Sequence, residues 1–322
     1  MDARIGRTTA RGAVAMLLTV AVWAGFALSV RGIGSSTLTS ADVALLRFAV
    51  PILVLAPWLP RTVRALRGEN PRTLAAIAAG AGAPFLLLAS LGGSMTSAAL
   101  VGLVIPGSVP LFVSAISAVV WRDRLARTQV IAVVVIVAGV GIAAAGSASS
   151  VSAGIGVLLA AGLLWSIYTL GLRRTSLDPV SAALVLCVPS AVAVAAGIAL
   201  GWLPSRLAAG TAAAGDVVEF VVVQGLGVGV VAGLCYAVAV RSLGPRPAAA
   251  FGALSPVATA LAAVPLFGEL PGSAAIAALV TIVAGVLAFT LLAPRPRPTP
   301  SPAAEPHPPH AVVRSEAHEK AL

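Results

Sequence analysis

Residues 97–121, SAALVGLVIPGSVPLFVSAISAVVW, run without a charge up to Arg122 and carry Pro106 and Pro110 in their middle. A helix of roughly 20 apolar residues crosses the hydrocarbon core of a bilayer. A proline inside such a helix leaves the carbonyl four residues earlier without its donor. For Pro106 that carbonyl belongs to Gly102. The device recurs in residues 247–267, PAAAFGALSPVATALAAVPLF, where Pro256 follows Gly252 at the same spacing. Interrupted backbone at membrane depth persists only where protein or a water-filled cavity satisfies it. Two interruptions in corresponding places of two halves point to a transport site. Helices loosened between Gly102 and Pro106, and between Gly252 and Pro256, are therefore expected to line a cavity for a solute.

The rest of the chain fits a membrane bundle. It is 59% hydrophobic and 10% charged, with a mean hydropathy of +1.02. A soluble domain carries about 25% charged residues. The net charge of +10 suggests nucleic acid at first sight, but the basic residues sit in short loops between apolar runs, where they set orientation. No nucleic-acid partner is expected. Cys187 and Cys235 lie inside apolar runs and read as small hydrophobes. His307, His310 and His318 all fall in the tail, so neither a metal site nor a cofactor is expected in the membrane domain.

Apolar runs read as ten spans, at 12–30, 41–60, 73–91, 97–120, 128–146, 153–172, 179–201, 217–239, 247–267 and 273–293. The first follows Arg4, Arg7 and Arg11 and resembles a signal peptide, but its length and the spans behind it mark an uncleaved helix. With the N-terminus in the cytoplasm, only Arg31 and Arg206 fall in external links and Arg47 within a span. Every other basic residue lands on a cytoplasmic segment. A miscounted helix would scramble that split, so ten spans with both termini inside satisfy the positive-inside rule.

The halves repeat. AVWAGFALSVRG (21–32) aligns with LLWSIYTLGLRR (163–174), matching Trp23 to Trp165 and Arg31 to Arg173; Pro51 matches Pro189 and Pro106 matches Pro256. IVAGV at 136–140 recurs at 282–286. Five helices per half is an odd number, so the second half sits inverted. The expected fold is an all-α membrane protein, ten transmembrane helices as two inverted five-helix repeats. The expected units are a cytoplasmic N-terminus (1–11), repeats at 12–146 and 147–293, and a proline-rich, charged tail at 294–322 expected to be disordered and cytoplasmic.

Trp23, Leu46-Arg47-Phe48, the proline-bearing fourth and ninth helices, and the acidic links at Asp123 and Gly268-Glu269 come in one order across residues 12–293. In that order they resemble a bacterial EamA-type transporter of the drug/metabolite transporter superfamily. The first link departs from the pattern, reading Trp121-Arg122-Asp123-Arg124 where a Gly-Glu pair is usual. The resemblance implies an exporter or permease for small metabolites in the bacterial cytoplasmic membrane.

Candidate binding residues follow from cost. Arg47 is the basic residue well inside a span. There it must face the bundle interior, grip a substrate group, or reach helix-end carbonyls and headgroups. Trp23 and Trp165 sit mid-span, unlike Trp58, Trp121 and Trp202 at span ends; they either line a cavity or pack between helices. Tyr168 lies one turn beyond Trp165 on the same face, and Tyr236 adds a second polar-tipped ring. Gln224 and Thr259 read as interhelical hydrogen bonds or binding groups. Gly225, Gly229 and Gly233 read as a packing stripe. Glu269 reads as a cap or loop charge, while the resemblance, which marks its position, implies a structural or gating role; Asp216 and Glu219 read as helix N-terminal charges.

No carboxylate or histidine falls mid-span, no G-x-x-x-x-G-K-[ST] appears, and the spans hold no nucleophile–base pair. An enzyme is not expected. The expected activity is secondary transport, as an exporter, of amino-acid-like or amphipathic solutes by alternating access around a central cavity. Its site would comprise Trp23, Arg47, Gly102, Pro106, Trp165, Tyr168, Gly252 and Pro256, in a monomer or homodimer within the lipid bilayer. The alternative is a multi-span sensor or assembly protein that needs no cavity.

Overall fold

A computed structural model describes residues 2–122, 125–145 and 148–292 of the chain. The expected acidic link at Asp123, the junction at 146–147 and the tail at 294–322 lie outside the described residues. Within them the chain is helical, without a strand, and ten helices are long and apolar enough to cross a membrane. Spans one to five are Ala10–Ser35, Ser40–Leu66, Pro71–Met95, Ala98–Trp121 and Arg127–Ala145. Spans six to ten are Ser149–Leu172, Pro179–Ala199, Ala214–Leu243, Ala250–Phe267 and Ser273–Leu291. The chain is a multi-pass membrane protein.

Local chemistry starts and stops these helices. A helix leaves its first N–H groups without partners, and side chains supply them. Thr39 and Asp42 form a capping box at span two. The Ser97 hydroxyl accepts from Leu100 N–H at span four, and Asp178 accepts from the Val180 and Ser181 N–H groups at span seven. Span nine ends in left-handed Gly268 at φ 66°. Span four ends the same way in Arg122 at φ 57°, the non-glycine residue with positive φ among the described residues.

Packing follows the repeat. Span one lies against span eight and span six against span three, while two meets seven, four meets nine and five meets ten. Exchanging the halves maps each of these pairs onto itself or onto another. Without water to drive association, membrane helices approach closely where small residues allow it. The IVAGV repeat shows how. A Cβ on Gly139 would meet Ile282 Cγ1 at 2.5 Å, and one on Gly285 would meet Ile136 Cγ1 at 2.7 Å. Each isoleucine thus seats on the other repeat's glycine. The glycine stripe of span eight packs in part: Gly225 faces Val50 and Gly229 faces Pro51, whereas Gly233 meets no neighbour.

The two proline stretches differ, which corrects the symmetric expectation. Span four stays helical through Pro106 and Pro110. Those prolines lie one turn apart, so the carbonyls they free, on Gly102 and Pro106, fall along one side while the other sides keep their bonds. Span nine does break near its start, where the helix Pro245–Gly252 ends and Ser255–Phe267 begins. Pro256 sits in the first turn of the new helix, where its missing N–H costs nothing. Span eight holds a further departure, a π-helical segment over Val221–Val231.

Candidate functional site

Both halves contribute to one cavity of about 290 Å³ at the middle of the bundle. Its charged member is Arg47, seven residues into span two, roughly 10 Å along the helix from the Ser40 end. Span four presents Gly102, Ile105, Pro106 and Pro110, and the break in span nine presents Gly252, Ala253 and Pro256. Pro106 is exposed although it stands mid-helix, because its side of the helix faces the cavity. Gly102 is small for a reason: a Cβ there would come within 2.8 Å of Thr259 Oγ1 on span nine. A Cβ on Gly252 would come within 3.2 Å of the Trp23 ring.

Aromatic rings form the walls. Trp23 tilts against Tyr236 with centroids 5.5 Å apart. Phe26 stacks on Phe85 at 5.8 Å, and Phe85 meets Trp165 at 5.0 Å. Trp23 and Trp165, matched by the repeat, thus stand on the lining from the two halves. Tyr168 does not reach the lining. It tilts behind Trp165 at 5.4 Å, and its backbone runs so close to span three that a Cβ on Gly80 would strike it. Of the eight residues expected from sequence, Trp23, Arg47, Gly102, Pro106, Trp165, Gly252 and Pro256 come together here. Tyr168 backs them.

Arg47 is 5% exposed. Its Nη1 donates to Gln224 Oε1 at 2.9 Å, and Gln224 Nε2 donates to Ser29 Oγ at 2.7 Å. The Ser29 hydroxyl in turn donates to the Phe26 carbonyl at 2.9 Å. The guanidinium lies 5.2 Å from the Phe26 ring centroid and 5.7 Å from that of Phe48. Its Nε has no hydrogen-bond partner among the described residues. Gln224 is wholly buried, held inward by the π-helical segment, a feature common at functional sites.

Polar groups at the Ser40 end tie the spans together. Glu269 accepts from Arg31 Nε at 2.8 Å and from the Ala98 N–H at 2.9 Å, joining spans one, four and nine. Asp216 stands in the first turn of span eight and also accepts from the Thr37 N–H and hydroxyl at 2.6 Å each. Asp42, buried, accepts from Ser205 Oγ at 2.5 Å and Arg206 N–H at 2.9 Å besides its capping box. It was missed in sequence, although Thr39-x-x-Asp42 carries the capping-box spacing. At the opposite face Ser176 donates its hydroxyl and N–H to Glu69, which holds that carboxyl below its usual range.

Residues 152–291 match the family model of the EamA-like transporter family. The chain carries an EamA-like transporter domain. The matching model is of the family that the order of motifs across the chain resembles. The matched residues run from span six to span ten. No curated protein matches the chain. One solved structure, described only as a crystal structure of a protein, is similar to it with a TM-score of 0.59 at 20% identity. The alignment covers 89% of this chain and 100% of that one, and at that identity the likeness speaks for the fold alone.

Proposed function

We propose that this EamA-type protein is a secondary carrier that exports small amphipathic metabolites from the bacterial cytoplasm by alternating access around the central cavity. The observation that carries the reading is the cavity itself. It is built by residues of both halves, is apolar and aromatic, and holds one buried arginine. Pockets of that character bind ligands through a mostly apolar wall and a few placed polar groups. Trp23, Arg47, Gly102, Pro106, Trp165, Gly252 and Pro256 serve as substrate contacts, and Tyr168 holds Trp165.

The face bearing Arg61, Arg64, Arg67, Arg72, Arg173 and Arg174 is the cytoplasmic one, since basic residues favour that side. The repeats at 12–146 and 147–293 rock about the site, and the working unit is a monomer or homodimer. A chain with no catalytic cluster in its spans needs no enzymatic step for this role.

Export from cells carrying the parent chain or Arg47→Ala, loaded with amino acids, dipeptides, aromatic carboxylates and cationic dyes, tests the reading. The parent lowers intracellular levels of amphipathic members. Arg47→Ala, at equal membrane abundance, loses at least about tenfold of that flux, as expected when a charge-assisted contact of roughly 1.5–3 kcal/mol is removed. A parent chain that moves nothing on the panel favours a non-transporting membrane protein instead.

A further inference from the structure

We propose that Gln224 sets the charge class of the solute, and that the cavity takes organic anions with one negative charge on an apolar or aromatic body. This rests on the carrier reading above. Arg47 is buried, yet what it meets is a neutral amide oxygen and two aromatic rings. Among the described residues the lining holds no acidic side chain. A guanidinium out of water and without a counter-charge is costly, so an arriving carboxylate or sulfonate relieves a cost already present. The Nε, buried without a partner among the described residues, adds to that cost. An ammonium group finds no such complement.

The orientation of the Gln224 amide is forced. The Arg47 guanidinium can only donate, so the Gln224 oxygen must face it. The Gln224 NH₂ then turns to the Ser29 oxygen, and the Ser29 hydroxyl donates to the Phe26 carbonyl. The chain Arg47–Gln224–Ser29 also stands between two hollows. Arg47 lines the central cavity, and Ser29 lines a recess on the Ser40 side that includes Asp216 and Phe267. A solute crossing from one to the other passes this chain. Specificity is a difference of affinities. One change of charge at position 224 would balance Arg47 internally and remove the demand for an anion.

The test uses 4-phenylbutyrate, 4-phenylbutylamine and 4-phenylbutanol, which share a body and differ in charge at neutral pH. Binding to the full chain in uncharged detergent is followed by calorimetry. Phenylbutyrate binds about tenfold or more tightly than the other two, and Gln224→Glu narrows its advantage over phenylbutanol to within about threefold, a loss of a charge-pair contribution. Equal or tighter binding of the amine overturns the inference. So does an undiminished preference for the acid in Gln224→Glu, or no binding of the acid at millimolar concentration. Should Gln224→Glu not fold, Gln224→Met, which adds no charge, keeps the preference for the acid, and its loss there overturns the inference; the ligand series on the parent chain stands regardless. Flux into proteoliposomes is measured alongside. Acid-selective binding without flux sinks the carrier reading and leaves the charge class standing. Flux that favours the amine does the reverse.

Discussion

Arg122 and Gly268 close the proline-bearing spans four and nine with the same backbone device, at φ 57° and 66°. For an L-residue with a Cβ, the left-handed region costs roughly 1–2 kcal/mol. Arg122→Gly should therefore raise stability by about 1 kcal/mol, read as a higher melting temperature in detergent. An unchanged or lower value would mean that the Arg122 side chain contributes as much as its strain removes. The sequence departure at Trp121-Arg122-Asp123 thus changes the residue while the backbone turn is kept. At this scale single side chains were legible where their chemistry is expensive. A charge in an apolar run singles out Arg47 without any structure. Its partners could not be read, because Gln224 and Ser29 come from other spans and only the packing brings them near. Tyr168 misled for a related reason: spacing along a helix gives the face, but the closeness of span three at Gly80 decides which way that face looks.

Between elements, glycine placement does more than apolar periodicity. Spans five and ten interlock through Ile136 on Gly285 and Ile282 on Gly139, and the recurrence of IVAGV is the readable trace of it. A methyl group on Gly285 would also approach Ala132 O and Ile136 N–H at 3.1 Å, so the helices cannot yield by moving one side chain. Gly285→Ala should cost about 1–3 kcal/mol through overpacking. Ile136→Ala in the same chain should return part of that cost, because one of the atoms in conflict is gone. A double-mutant cycle on unfolding measures the coupling; strict additivity would refute the interlock. The prolines teach the complementary lesson. Pro106 and Pro256 were visible at once, but whether a helix breaks depends on what lies around the proline. Pro256 falls where a new helix can begin, whereas Pro106 and Pro110 leave enough intact bonds for span four to continue. The π-helical segment of span eight had no comparable mark beyond a run rich in glycine and valine.

At the scale of the whole molecule, ten spans and their internal symmetry were legible because each apolar run must cross a bilayer and each charge must avoid it. Which end of the cavity is held shut was not, since that depends on loop groups meeting across the bundle. At the Ser40 end, Glu269 joins Arg31 of span one to the first N–H groups of span four. Val101, one turn further into span four, lines the cavity and is 1% exposed. Glu269 is therefore expected to help hold this face closed over the site. Arg31 and Glu269 are partly open to solvent, at 34% and 19%, so the pair contributes at most about 1 kcal/mol. A loss of that size multiplies the population open at this face by roughly fivefold at most. In a chain with Cys187 and Cys235 changed to alanine, a membrane-impermeant maleimide added at the Arg31 face should label Val101→Cys slowly. Adding Glu269→Gln should speed the labelling about two- to fivefold, while Glu69→Gln, at the other face, leaves it as it was. Equal rates with and without Glu269 would mean that helix packing alone keeps that face closed.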